Sequence, residues 1–217
     1  MCQDGVPKAD ILTLGRQMAG HWKNYYTDFA VHFITGTVHN WQPVLLFDEI
    51  ASIFVEDMDR LSKRWETNII GYVIMPEHFH LLIQSGHSEN IMKYIRGVRR
   101  SVSGKVRNII AYKHDKFEDY CLKNGIEIST FHSKTAGKSV FRFWKEKPRV
   151  FPLSKEDDVV KKLDYIHNNP VRRGLVNSPG EWEYASFGFY ASQNTRRTKV
   201  DQRHQDVVNS ILAQPGD

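Results

Sequence analysis

The chain has 217 residues, 41% hydrophobic and 12% aromatic, enough to close one substantial core and favouring one embellished domain over two. Its formal charge of +5 and pI near 9.1 permit a polyanionic partner without requiring one. Cys2 and Cys121 match no metal or disulfide spacing, no apolar run approaches the roughly 20 residues of a membrane helix, and the N-terminus lacks the basic start and apolar run of a secretion signal, so the expected setting is reducing and cytoplasmic.

In chain order, the first ~25 residues show no clear period and read as an extension. Residues 29–38 (FAVHFITGTV) are rich in β-formers and predict a strand. Residues 47–65 place Ile50, Ile53, Phe54, Met58 and Leu61 at helical spacing, with acids early and Lys63 and Arg64 late, the order a helix dipole favours. Residues 68–75 and 78–84 are two apolar segments around Pro76-Glu77, predicting adjacent antiparallel strands. A helix is expected from Ser88 to about Arg107, a strand at Phe141–Trp144, and a helix from Ser154 that stops at Pro170. The order β-α-β-β-α-β plus a further helix predicts an α+β, ferredoxin-like domain over residues 26–190, an antiparallel sheet with helices on one face and a C-terminal helix added. Residues 108–139 read as a polar insertion, and residues 191–217 as a charged tail with one short helix near Val207–Leu212.

His78 and His80 lie two apart in a predicted strand, so their side chains leave the same face. Phe79, Leu81 and Ile83 then point to the helix-covered core, leaving both imidazoles on the exposed face as a bidentate metal platform. Two surface histidines without a role are the plain alternative, since the chain has ten. In the last predicted helix Ser154 and Asp157 resemble a capping box. Val159, Leu163 and Ile166 form its apolar stripe, and Tyr165 falls outside it beside Asp158, Lys161 and Lys162. Asn169 lies one turn beyond Tyr165 on the same face. It reads either as a C-cap or as a hard oxygen ligand which, with two imidazoles, suits magnesium or manganese.

Two strings, GYVIMPEHFHLLI at 71–83 and LDYIHNNPV at 163–171, followed by RGLV at 173–176 and EWEYASF at 181–187, resemble the REP-associated tyrosine transposases, relatives of the single-tyrosine insertion-sequence transposases among the HUH endonucleases. The resemblance spans about residues 29–187 and keeps the family's motif order. It implies His78 and His80 as metal ligands, Asn169 as a third, Mg2+ or Mn2+ as the ion, and Tyr165 as nucleophile. Relatives more often have Asn where this chain has Glu77, though Glu is familiar there too; Glu77 reads as a solvated turn residue, with a contact to the metal or its water as the alternative.

The implied activity is single-strand DNA cleavage and strand transfer on hairpin-forming repeats through a 5′-phosphotyrosine. A free phenol has a pKa of about 10 and needs help to lose its proton; metal proximity, Lys161, Lys162 and His167 are the available aids. Lys93, Arg96, Arg99, Arg100, Lys105 and Arg107 lie along the second helix, where Arg96, Arg99 and Arg100 read equally as phosphate contacts or a solvated face. Arg172 and Arg173 follow the tyrosine helix, beside the expected cleaved phosphate. Trp41, Trp144, Trp182 and Tyr184 are candidates for base stacking or packing. The expected partner is single-stranded or hairpin DNA, and the chain a monomer or homodimer. The rival readings are a domesticated hairpin-binding regulator with little cleavage, an RNA-binding sheet, and a zinc hydrolase that would leave Tyr165 without a role.

Overall fold

The computed structural model describes residues 24–112, 115–135 and 138–192. The expected N-terminal extension, apart from its last two residues, and nearly all of the C-terminal tail, with its short helix near Val207–Leu212, lie outside them. Four strands, β1 (Val31–Thr37), β2 (Thr67–Ile74), β3 (His78–Ser85) and β6 (Arg149–Leu153), form an antiparallel sheet in the order β2-β3-β1-β6. Helices α1 (Asp48–Arg64) and α2 (Ser88–Ala111) cover one face. This mixture of helices and antiparallel sheet is the α+β class expected.

β3 is built by alternation. Phe79, Leu81 and Ile83 enter the main core with Phe54, Met58 and Leu61 of α1 and Ile91, Ile95 and Val98 of α2, as a period of two requires. Complete burial of one such side chain contributes roughly 1.5–3 kcal/mol. Gly36, opposite Phe79 in the β1–β3 register, has no room for a Cβ because the Phe79 ring occupies that space. The main core is thereby fixed directly behind the histidines.

The fourth strand departs from the sequence expectation. Phe141–Trp144 is not a strand of this sheet: Phe141 ends β5 (Lys138–Phe141), which among the described residues pairs only with β4 (His132–Thr135), and Trp144 makes a single bridge to Val38. The fourth position belongs to β6, whose Pro152 pairs with His32. Proline hides a strand from a propensity reading but is tolerated at a sheet edge, where one side of the backbone needs no ladder partner. The described residues of 108–139 are folded: after α2 come α3 (Asp115–Lys123) and the pair β4 and β5, and Phe117, Cys121, Ile126 and Phe131 belong to the main core.

The second face of the sheet is covered as well. Helix α4 (Glu156–His167) lays Leu163 and Ile166 against Phe33, Ile70, Val73 and Leu82. Contact is close because β2 is irregular there. Its register shifts between Ile69 and Gly71, and a Cβ on Gly71 would overlap Leu163. The segment after α4 runs along the open edge of β2: Ile74 donates to Tyr184 O at 2.8 Å, Ser186 N donates to Tyr72 O at 2.9 Å, and Trp182 Nε1 donates to Ile74 O at 3.0 Å. Covering an edge in this way removes a template for strand addition. His167 ties the two pieces together, with Nε2 2.8 Å from Ser186 Oγ in a buried setting.

Two capping expectations change. The N-cap of α4 is Lys155, and no capping-box hydrogen bond forms. The C-cap is Asn168, whose amide donates to Asp164 O and Oδ1 at 3.1 and 2.7 Å. Asn169 instead opens the short helix α5 (Asn169–Arg172), where Pro170 sits in the first turn and its missing N–H costs nothing. Among the described residues no helix is long and apolar enough to cross a membrane.

Burial lowers the His167 imidazole to about 4, from an unfolded value near 6.5. As pH falls below that unfolded value, the unfolded chain takes up the proton first. Stability present above pH 6.5 is therefore lost progressively down to about pH 4, where the folded form also protonates and the loss levels off. Urea titrations across this window should show His167→Gln with a shallower pH dependence than the wild type, by up to one proton, or about 1.4 kcal/mol per pH unit. Equal slopes would show that His167 is not buried as a neutral group.

Candidate active site

His78 and His80 point to the α4 side of the sheet, with ring centroids 4.9 Å apart. They share a face, as their spacing requires, but the face is not open: His78 is 7% and His80 5% exposed. The expectation of outward-facing, solvated imidazoles is corrected here. Helices were expected on one face alone, and α4 with Phe33 covers the other.

Each imidazole is held through its Nδ1. His80 Nδ1 lies 2.9 Å from Thr35 Oγ1, and Thr35 is its direct neighbour in the β1–β3 register. His78 Nδ1 lies 3.1 Å from Glu77 Oε1. In the tautomer with the proton on Nδ1, each ring would donate to these oxygens and keep the Nε2 lone pair, the arrangement that orients an imidazole for metal binding. Burial, then the nearby His78 and Lys162 charges, lower His80 to about 3, so it is neutral near pH 7, the form that coordinates a metal.

Glu77 is not a solvated turn residue. It is 5% exposed and accepts from both His78 and Arg173 Nη1, the latter at 2.7 Å. Burial pushes its carboxyl up, but the hydrogen bonds from His78 and Arg173 more than offset this and hold it at about 2. Arg173 is thus committed to an ion pair that joins the segment after α4 to the start of β3.

Tyr165 is half-buried beside this pair. Its ring centroid lies 5.6 Å from that of His80 and 6.2 Å from that of Phe33. Phe33 also stacks on His80 at 5.1 Å. Two cations flank the phenol: Lys162 Nζ at 5.1 Å and Arg172 Cζ at 5.3 Å from the ring centroid. His167, one of the groups considered as an aid to the phenol, faces Ser186, Phe187 and Tyr190 instead. Asn169 is buried at the start of α5. It lies on a stretch that touches the histidine strand at both ends, through Tyr165 to His80 and through Arg173 to Glu77.

The arginines of α2 are placed differently. That helix packs on the opposite face of the sheet. Arg96 and Arg100 are exposed. Arg99 donates through Nη2 to Lys145 O and Glu146 O at 2.9 and 2.5 Å and lies 5.6 Å from the Trp144 ring centroid. Its guanidinium already holds a loop.

Sequence reasoning missed Thr35 and the Glu77–Arg173 contact. Thr35 was open to discovery once β1 and β3 were paired, because the antiparallel register sets it opposite His80. The contact between Glu77 and Arg173, 96 positions apart, had no local signal. Among the described residues no group of three or more His, Cys, Asp or Glu side chains forms a metal site, so a metal here would need a different third donor, such as the Asn169 amide.

The model of the family described as "Transposase IS200 like" matches residues 25–137, just over half of the chain, including the histidine strand. A Haemophilus influenzae protein with the provisional name REP-associated tyrosine transposase is 27% identical over 170 residues, spanning 76% of this chain and 85% of that one. A solved REP-associated tyrosine transposase bound to a REP hairpin shares the fold, with a TM-score of 0.56 at 16% identity over 91% of this chain and 92% of that one. The chain belongs to the IS200-like transposase family, and the two relatives it resembles carry the name REP-associated tyrosine transposase.

Proposed function

We propose that the protein is a metal-dependent endonuclease and strand-transferase that cuts single-stranded DNA at hairpin-forming repeats, with Tyr165 as nucleophile. The observation that carries this reading is the close approach of the Tyr165 ring to His80, between Lys162 and Arg172. In the likeness to a hairpin-bound transposase, the structured substrate has its support.

The donor set fits a hard divalent ion. The two imidazoles, each oriented through its Nδ1, and the amide oxygen of Asn169 are the ligands proposed, for Mg2+ or Mn2+. Such an ion, when bound, offsets phosphate charge and orients the group for in-line displacement. Lys162 and Arg172 are placed to meet the non-bridging oxygens of a phosphate lying against Tyr165. The phenol oxygen forms a bond to phosphorus as the bond to the 3′ oxygen breaks. The phenol proton passes to solvent and the departing oxygen gains one. The products are a 5′-phosphotyrosine and a free 3′-hydroxyl. One phosphoester replaces another, so the step runs in both directions and a second 3′-hydroxyl completes strand transfer. Tyr165 and both histidines belong to one chain, and a single protomer therefore holds the parts needed for cleavage.

Tyr165→Phe keeps the ring that packs on Phe33 and His80 and removes only the oxygen. Its melting temperature should stay within a degree or two of wild type and hairpin binding should persist, while the covalent adduct on a denaturing gel disappears. An adduct formed by the variant would assign the nucleophile elsewhere.

Chelator should silence the wild type and manganese or magnesium should restore it. His80→Ala should abolish that response and also destabilise the fold by about 1–3 kcal/mol, because the ring is buried between Phe33 and Tyr165. Rescue by zinc alone would instead favour hydrolytic chemistry.

A further inference from the structure

Four aromatic residues were candidates for stacking on bases, and the structure separates them. Trp144 is 8% exposed and donates through Nε1 to Arg99 O. Trp182 and Tyr184 hold the edge of β2 and α1, through Trp182 Nε1 to Ile74 O and Tyr184 OH to Asp48 Oδ1. Trp41 is 54% exposed. It stands at the candidate site, with its ring centroid 6.2 Å from that of His78.

Trp41 is also held in an unfavourable backbone conformation. Asn40 and Trp41 have φ values of 52° and 57°, the left-handed region that a bulky side chain avoids. Such a conformation persists when neighbouring structure dictates it, and here it does. Val38 N donates to Glu77 O, Trp41 N to Val38 O and Leu45 N to Pro76 O, so the turn hangs from the two residues before His78. On its other side His39 N donates to Phe143 O, and Lys145 N donates to Thr37 O. Lys145 places its ammonium 5.7 Å from the Trp41 ring centroid, and Arg99 grips the Lys145 carbonyl. An exposed indole on a strained, rigidly tethered turn, with a cation beside it and a candidate metal ligand against it, has the parts of a nucleotide-binding platform.

We infer that an unpaired base flanking the scissile phosphate stacks on Trp41, with Lys145 meeting the adjoining phosphate and Arg99 positioning Lys145. This rests on the single-strand reading above and adds to it the surface that grips the strand beside the cut. Base–aromatic stacking tolerates any base, so the platform contributes grip and registration rather than sequence choice.

The test uses the full chain carrying Tyr165→Phe, which leaves binding to be read without cleavage. The probe is a fluorescein-labelled hairpin oligonucleotide with single-stranded flanks. Moving one abasic site along the flanks should reveal one position whose loss weakens binding roughly 5- to 100-fold. Adding Trp41→Ala should cause a loss of the same order on the intact probe and erase the penalty at that position alone. Trp41→Phe should retain most of the affinity. Lys145→Met should reduce the slope of log affinity against log salt by about 0.7. Intact affinity in Trp41→Ala with its melting temperature preserved would overturn the inference, as would a flat abasic scan, which needs no change at Trp41. The covalent adduct of the chain with Tyr165 intact is scored separately. Its absence beside Trp41-dependent binding would sink the nuclease reading and leave the platform, and its presence with a flat scan would do the reverse.

Discussion

Leu163 packs into the space that a side chain on Gly71 would fill, and the position of Tyr165 follows from that contact. Tyr165 lies two positions after Leu163, so the wheel of α4 turns the phenol toward Phe33 and His80 while Leu163 and Ile166 face β2. A bulge at Ile69–Gly71 lets β2 receive the helix closely. His167 bonded to Ser186 keeps the helix from sliding along the sheet edge. Beyond α4, Arg173 bonded to Glu77 pins the following turn to the start of β3.

β3 carries the other half of the arrangement. One strand serves two cores, because its odd and even residues leave opposite faces. The odd side chains lock β3 against α1 and α2, and this fixes where the even side chains begin. Register with β1 then supplies Thr35 to His80, and sequence adjacency supplies Glu77 to His78. A buried imidazole with no partner for its Nδ1 would carry an unsatisfied polar group. Here each has an oxygen, and each retains Nε2 for chemistry.

Much of this could be read from the sequence. The period-two pattern of residues 78–84 located the histidine pair and its core-facing neighbours, and helical spacing set Tyr165 apart from Leu163 and Ile166. The fourth strand was missed because Pro152 interrupts its β signal, and Phe141–Trp144 was read as a strand in its place. The burial of both histidines was missed for a different reason: amphipathic pattern reports which face of a strand is polar, but not whether a later helix will cover it. The same limit applies to Arg99 and Arg173. Lysines and arginines in sequence look like surface charge, and only the fold shows Arg99 spent on two carbonyls and Arg173 on Glu77.

Tyr165 approaches His80 of its own chain, so one chain is expected to assemble its own nucleophile and histidine pair. Mixing two inactive proteins tests this directly. Tyr165→Phe retains the histidines and His80→Gln retains the tyrosine, so each lacks what the other has. With hairpin DNA and manganese, and with the wild type forming its covalent adduct alongside, the mixture should give no adduct, because each tyrosine reaches only the histidines of its own chain. Recovery of the adduct in the mixture would show a tyrosine acting on a partner's histidines and would contradict the arrangement described.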